Sequence, residues 1–491
     1  MTLKDLLENT DVEKAHADLG ILVHGVSYDT RSLRAGEIFV AVRGYESDGH
    51  QYIGEAFEKG ALCVICEQPP PDPRLPHILV KDSRKALATV SAAWFGHPAS
   101  KIRIIGVTGT NGKTTVTCLI KRVIEKYTGE KVGLIGTIGN MVGEKEITAG
   151  HTTPESYNVH KMLALMVKEG CAYAVMEVSS HALYLNRVHG IEFEVGVFTN
   201  ISPDHLDFHQ TMQQYAKAKS ILFENSLKSA INIDDEYAPV MKGSARGNVF
   251  TYAVNDGTAD LVGKNVKLHA DKVEFCALMI GSLNRLELKT PGMFSVYNGL
   301  AVISAAMLLG FKLEKVVAVM QTLQGVKGRA EVVPTGSDFT VLIDYAHTPD
   351  ALENIIKALR GFRDGRLVTL FGCGGDRDRK KRSLMGGIAA KFSDFVVVTS
   401  DNPRTEEPGE IISDILAGMK NMKTPYRVIE NRREAIYWAL KNLAPQDVLI
   451  LAGKGHETYQ IIGKEKTHFD EREVVSEYFE GVKKKEFGAT Q

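Results

Sequence analysis

Lys101 to Val116 reads KIRIIGVTGTNGKTTV, and its three parts decide the fold of what surrounds it. The β-branched run Ile102, Ile104, Ile105 and Val107 predicts a buried strand. Thr108-Gly109-Thr110-Asn111-Gly112-Lys113-Thr114-Thr115 then breaks it, and Val116, Leu119, Ile120 and Val123 repeat at helical spacing. A strand, a glycine loop and a helix in that order bring backbone N–H groups and a positive helix end up to phosphate oxygens. Lys113 is placed to reach the terminal phosphates, and the Thr114 hydroxyl to ligate Mg²⁺. The first glycine of the general phosphate-loop pattern is replaced by Val107, with Gly106 standing one residue early, so the loop is a narrower variant.

The chain has 491 residues, more than one core usually supports, so two or three domains are expected. With 59 basic and 60 acidic residues the formal charge is -1, which gives no electrostatic case for nucleic acid or a membrane surface. No apolar run approaches the roughly 20 residues that span a bilayer, and the opening MTLKDLLENTDVEKAH has no signal-peptide core, so a cytoplasmic protein is expected. Six scattered cysteines fit reduced thiols. Cys63 and Cys66, in ALCVIC, lack the second pair a metal site needs and read as a buried strand.

Residues 1–98 read as a small α/β domain, with strands over Glu37 to Val42, Ala61 to Cys66 and His77 to Val80. Residues 99–330 alternate strand and helix as a doubly wound sheet does, and 331–491 begin a second α/β set. Polar residues cluster where the strands end, the edge at which open α/β sheets bind ligands. Glu177 ends the apolar run within AYAVMEVSSH (172–181), and His205 follows the apolar run within VGVFTNISPDHLDFH (195–209); each could cap or bond locally, but beside Thr114 they suit a hard metal. Thr153 could be an N-cap with Pro154 opening the helix, or part of a hydroxyl-rich loop. Lys217 and Lys219 of YAKAKSILF read by themselves as solvated surface lysines. Arg329 is a linker charge or reaches phosphate. Asp344 and His347 leave a buried strand just before a helix near Pro349. Gly372-Cys373-Gly374-Gly375 is no dinucleotide fingerprint, because Arg377 stands where a glycine is needed. The charged run Asp376 to Arg382 is a solvated loop or an anion site. Asp401-Asn402-Pro403-Arg404 and Gly453, Lys454, His456 and Glu457 end two further strands at the same edge.

TGTNGKTT (108–115), HTTPE (151–155), MEVSSHAL (176–183), FTNISPDHLDFH (198–209), YAKAK (215–219), DYAHTPDAL (344–352), FGCGGDRDRKKR (371–382), DNPRTEEP (401–408) and AGKGHETYQ (452–460) together resemble the Mur ligase family. The likeness is to the branch that adds the third peptide residue of the peptidoglycan precursor. It implies three domains: 1–98 for the uridine nucleotide, a central ATPase over 99–330, and a Rossmann-like 331–491. It further implies that ATP phosphorylates the D-glutamyl carboxylate of UDP-MurNAc-L-Ala-D-Glu and that an amine attacks the acyl phosphate. Such chemistry depends on positioning and charge neutralisation.

By matched position, Gly109, Thr110, Asn111, Gly112, Lys113, Thr114 and Thr115 hold ATP, with Asn298, Arg329, Asp344 and His347 on the same side. Glu177, His205 and Thr114 surround Mg²⁺. Lys219 falls at the family's carbamylated lysine, which reverses the surface reading. Thr30 falls at a uridine contact, and Thr152, Thr153, Ser179 and Arg187 at muramoyl-dipeptide contacts. Asp401, Asn402, Pro403 and Arg404 have the form seen in members that use meso-diaminopimelate, with Arg382, Gly453 and Glu457 at the remaining contacts. Diaminopimelate carries a second carboxylate that L-lysine lacks, and a guanidinium can hold it bidentately. Two departures stand out: Tyr45-Glu46 where His-Gln is common, and Leu185 where a glutamine is. The expectation is a monomeric ligase acting on small molecules. Its rivals are the L-lysine-adding form, a folylpolyglutamate synthetase and a nucleotide-gated binding protein.

Overall fold

The computed structural model describes residues 1–44, 47–147, 152–361 and 364–488, with side chains to residue 481. Tyr45, Glu46 and His151 therefore lie outside the described residues. The chain divides into two compact units, 1–262 with 300–316, and 263–299 with 317–491.

The first unit holds two sheets. The N-terminal one runs Val12–His16, His77–Val80, Cys63–Cys66, Glu37–Val40, Gly25–Ser27, parallel except for the first pair. Cys63 and Cys66 are fully buried in their strand, and burial pushes the thiols up to about 12 and about 11. Helix Ser83–Trp94 starts where the Asp82 carboxylate accepts the Arg84 and Lys85 N–H groups. It packs against helix Ser156–Lys168 of the second sheet layer.

The second sheet is parallel at its centre, in the order Asn248–Ala253, Ser226–Asn232, Phe193–Phe198, Arg103–Thr108, Tyr173–Glu177, Val132–Ile135. Antiparallel Asn140–Val142 and Lys145–Ile147 extend one edge. Strands buried on both faces explain the unbroken apolar runs of the sequence. Gly106 lies inside the strand Arg103–Thr108, where a Cβ would come within 2.9 Å of Phe193 and Leu222. It is a packing glycine of the sheet, which is why it stands one residue ahead of the loop.

In the second unit, a six-stranded sheet runs Glu331–Val333, Thr340–Asp344, Val448–Ala452, Leu367–Phe371, Phe395–Val398, Tyr426–Val428, parallel after its first pair. Alternate side chains divide between two cores. Leu342, Ile450 and Val396 meet helices Pro349–Arg360, Lys380–Phe392 and Pro408–Ala417, while Val341, Leu449 and Val397 meet Arg432–Lys441 and Glu471–Gly488. The register pairs Asp344 with Ala452, Ala452 with Phe371 and Phe371 with Val398. The loops after these four strands consequently share one edge. An antiparallel hairpin, Val273–Met279 with Ser282–Leu288, was not anticipated, because its two-residue turn Ile280-Gly281, with Gly281 at φ 78°, lacks the Asn-Gly or Asp-Gly pair that marks such turns.

Candidate active site

The phosphate loop takes its shape from two glycines. Gly109 has φ 152° and Gly112 φ 87°. A Cβ on Gly109 would stand 1.9 Å from the Thr199 hydroxyl oxygen, so no side chain fits there. Helix Lys113–Thr128 begins directly after the loop. Thr199 and Asn200 brace it from the neighbouring strand end. The Thr199 hydroxyl and the Asn200 amide donate to the Asn111 carbonyl at 2.6 and 3.1 Å, while the Asn111 N–H donates to the Asn200 side-chain oxygen at 3.0 Å. Thr110 bonds the Tyr215 hydroxyl at 3.1 Å, and Thr115 sits half-buried in the first turn of the helix.

Glu177 is buried and its carboxylate accepts from the Thr114 hydroxyl at 2.9 Å, from the Thr137 N–H at 2.7 Å and from the Thr137 hydroxyl at 3.2 Å. Lys113 curls onto its own loop, donating to the carbonyls of Gly109 and Thr110 at 2.9 and 2.8 Å. Lys219 donates to the same Gly109 carbonyl at 2.8 Å and is 1% exposed. The reading of Lys219 as a solvated lysine is thereby corrected; Lys217, two residues away, is the exposed one. Burial, and then the Lys113 charge, push the Lys219 amine well below its ordinary value, favouring the neutral form. Its nitrogen lies 4.4 Å from the centre of the Tyr215 ring.

His205 has φ 53° and presents its ring edge to His181 at 4.7 Å. His209 holds the far side of this cluster, with Nε2 2.9 Å from the Ser180 hydroxyl. Thr153 is corrected as a helix cap. Glu155 caps Ser156–Lys168, and the Thr153 hydroxyl instead donates to the Glu177 carbonyl at 2.8 Å and accepts the Ser179 N–H at 3.1 Å. The Thr152 hydroxyl lies 3.0 Å from that of Thr137. Arg187 donates to the Thr153 carbonyl at 3.0 Å, and Glu155 stands between Arg187 and Arg84 at 3.5 and 3.2 Å. Ser179 caps helix Ser180–Tyr184, whose end is the half-buried Leu185. Thr30 stands apart from this group, buried in the turn after strand Gly25–Ser27 with its carbonyl held by Lys59 at 2.9 Å.

The second unit gathers the remaining expected residues. The Asp344 carboxylate accepts the Ala330 and Ala346 N–H groups at 2.7 and 2.8 Å, fixing the turns that carry Arg329 and His347. The Arg329 guanidinium lies 5.1 Å from the Tyr345 ring centre, and His347 Nδ1 donates to the Tyr345 carbonyl at 2.8 Å. Asn298 is buried on helix Met293–Leu308. Arg404, with φ 52°, donates to the Gly375 carbonyl at 2.8 Å. Asn402 donates to Glu457 at 2.9 Å, and Gly453, with φ 113°, leaves room for the Asp401 carboxylate, whose oxygen is 2.8 Å from where a Cβ would stand. Pro403 sits in the buried floor of this loop.

Arg382 departs most from expectation. It is fully buried and gives both terminal nitrogens to Glu406 at 3.0 and 2.8 Å, with Asp414 at 2.9 Å. Paired in this way, Glu406 is held down at about 2. Of the charged run, Arg379 and Arg382 are thus paired with the protein's own carboxylates, and a substrate carboxylate binding Arg382 would have to displace Glu406 or Asp414. Thr137, Asn200 and Tyr215 escaped the sequence reading, although Thr137 carries the same signal as Glu177, a polar residue just past a buried strand.

Family profiles match along the chain: "Mur ligase family, catalytic domain" over 22–95, "Mur ligase middle domain" over 107–306, and "Mur ligase, glutamate ligase domain" over 328–455. The chain belongs to the Mur ligase family. Among Mur ligases it is 47% identical over 479 residues to the UDP-N-acetylmuramoyl-L-alanyl-D-glutamate--2,6-diaminopimelate ligase of Caldanaerobacter subterraneus subsp. tengcongensis, covering 97% of this chain and 98% of that protein. A solved structure of a ligase with the same name aligns with TM-score 0.72 at 31% identity, covering 98% and 99% of the two chains. A MurF ligase from Thermotoga maritima in complex with ADP shares the fold alone, with TM-score 0.59 at 18% identity over 93% of this chain and 97% of that one.

The donors around the Mur ligase phosphate loop suit Mg²⁺. Among the described residues no three His, Cys, Asp or Glu side chains form a cage. One buried carboxylate beside a threonine hydroxyl at a helix start is what Mg²⁺ uses when phosphates and water complete its shell.

Proposed function

We propose that this chain is an ATP- and Mg²⁺-dependent ligase joining meso-2,6-diaminopimelate to UDP-N-acetylmuramoyl-L-alanyl-D-glutamate through an acyl phosphate. In this reading residues 1–98, 99–330 and 331–491 are the uridine-nucleotide, ATP and amine domains, and the enzyme works in the cytoplasm as a monomer. No helix among the described residues is long and apolar enough to cross a membrane, which accords with that setting.

The observation that carries the substrate choice is the loop cluster that ties Arg404 to Glu457 through Asn402. The Arg404 N–H bonds the Ile461 carbonyl at 3.1 Å, the Ile461 N–H bonds the Asn402 side-chain oxygen at 2.9 Å, and the Asn402 amide bonds Glu457. A guanidinium and a carboxylate so linked match the carboxylate and ammonium at the far end of diaminopimelate. L-Lysine offers only the ammonium. The name carried by the full-length relative supports the same choice.

On the ATP side, Lys113, the loop N–H groups of residues 109–115 and the helix start would hold the phosphates. Thr114, Glu177, His205 and a carbamylated Lys219 would hold Mg²⁺, which supplies charge neutralisation for phosphoryl transfer. A neutral, desolvated Lys219 amine is the form that adds carbon dioxide. Asn298, Arg329, Asp344 and His347 belong to the nucleotide side, Thr30 to the uridine, and Thr152, Thr153, Ser179 and Arg187 to the dipeptide.

The test is phosphate release with ATP, Mg²⁺ and UDP-MurNAc-L-Ala-D-Glu, comparing meso-diaminopimelate, L-lysine and no amine. Release that depends on diaminopimelate is expected. Release with lysine alone would keep the ligase and overturn the substrate choice, and silence with both would overturn the ligase.

A further inference from the structure

Lys454 lies one residue beyond the glycine that ends strand Val448–Ala452, in a loop rich in small residues, and yet it is fully buried. Taking an ammonium out of water is costly unless its hydrogen bonds are replaced. Here they are. Nζ donates to the Asn402 side-chain oxygen and to Glu457 Oε2, both at 3.2 Å, and lies 5.6 Å from the Tyr459 ring centre.

These bonds fix two neighbouring groups. The Asn402 oxygen accepts from both Lys454 and the Ile461 N–H, which leaves its amide nitrogen to donate to Glu457 Oε2 at 2.9 Å. Glu457 Oε2 is consequently saturated by two donors. Oε1 of the same carboxylate accepts no hydrogen bond among the described residues, and the side chain keeps 14% exposure. The carboxylate is divided into a held oxygen and an offered one.

We infer that Lys454 is a positioning residue of the amine subsite: it locks Asn402 and one oxygen of Glu457 so that the other is presented, in a fixed orientation, to the ammonium of the incoming amine. This rests on the reading of these loops as the diaminopimelate site. Lys454 touches no substrate itself. Its charge partly offsets that of Glu457, so removing it would strengthen the bare Coulomb attraction for an ammonium while releasing the geometry. The inference is that geometry dominates, since a buried asparagine and glutamate left short of a donor would repack.

The experiment measures KM for each substrate in wild type, Lys454→Met, Glu457→Gln and the double variant, with circular dichroism of each. Lys454→Met should raise KM for diaminopimelate by about ten-fold or more and leave KM for ATP within about two-fold. On the Glu457→Gln background the same change should add little, because Lys454 acts through Glu457. Fully additive effects, an equal rise in every KM, or a lowered KM for diaminopimelate would each overturn the inference. If Lys454→Met does not fold, Lys454→Gln, which keeps a donor without the charge, takes its place under the same criteria. A wild-type enzyme without diaminopimelate-dependent release would instead sink the functional reading itself.

Discussion

Two side chains concentrate the proposed chemistry. Lys219 shares the Gly109 carbonyl with Lys113, so two amines meet one acceptor at the head of the phosphate loop. Desolvation makes a neutral amine the favoured species, and a carbamate formed on it would carry an anionic pair of oxygens able to ligate a metal. Lys219→Ala is expected to be nearly inactive and partly rescued by short carboxylic acids, measured as phosphate release; full activity without rescue would return this residue to a packing role. Arg404 makes the complementary case. Lysine at that position keeps a charge but loses the planar fork, so Arg404→Lys should raise KM for diaminopimelate about ten- to a hundred-fold, the equivalent of one charged hydrogen bond. An unchanged KM would remove Arg404 from the carboxylate.

Helix Ser156–Lys168 shows what an element has to tolerate to carry a site loop at its start. Its inner face buries Val159, Leu163 and Met166, and with them His160, only 2% exposed. Both His160 ring nitrogens are buried, and neither has a hydrogen-bond partner among the described residues. Burial, and then nearby His97, lower this histidine from 6.5 to about 4. The unfolded chain therefore binds more protons than the folded one between those values, and stability falls as the pH drops from about 6.5 to about 4. The melting temperature of wild type should decline over that window, and His160→Leu, which fills the site without a titrating ring, should flatten part of the decline. The same pH dependence in both proteins would assign it elsewhere, for instance to His181 and His209, which also lie near 4.

Across the whole molecule the six cysteines are all free, five of them buried and Cys276 half-buried. Cys63 and Cys373 are each pushed up to about 12 by burial. A thiol reagent should accordingly label at most one cysteine quickly in the native protein and all six in denaturant, and reductant should leave the melting temperature unchanged. Rapid labelling of several thiols would mean that these strands open.

The sequence alone determined the central parallel strands and the edge at which they end, though not the hairpin Val273–Met279 with Ser282–Leu288. Doubly buried parallel strands write themselves as apolar runs, and the polar residue that ends each run must lie at the carboxyl edge. Glu177, Asp344 and Asp401 were therefore legible without coordinates. Lys219, Lys454 and Arg382 were not, because a cationic residue in a polar-looking segment has the same local signature whether it is solvated or buried. Only the tertiary structure decided their states, by bringing the Gly109 carbonyl to Lys219, Asn402 to Lys454 beside its near neighbour Glu457, and the Glu406 and Asp414 carboxylates to Arg382, to replace the water each cation had lost.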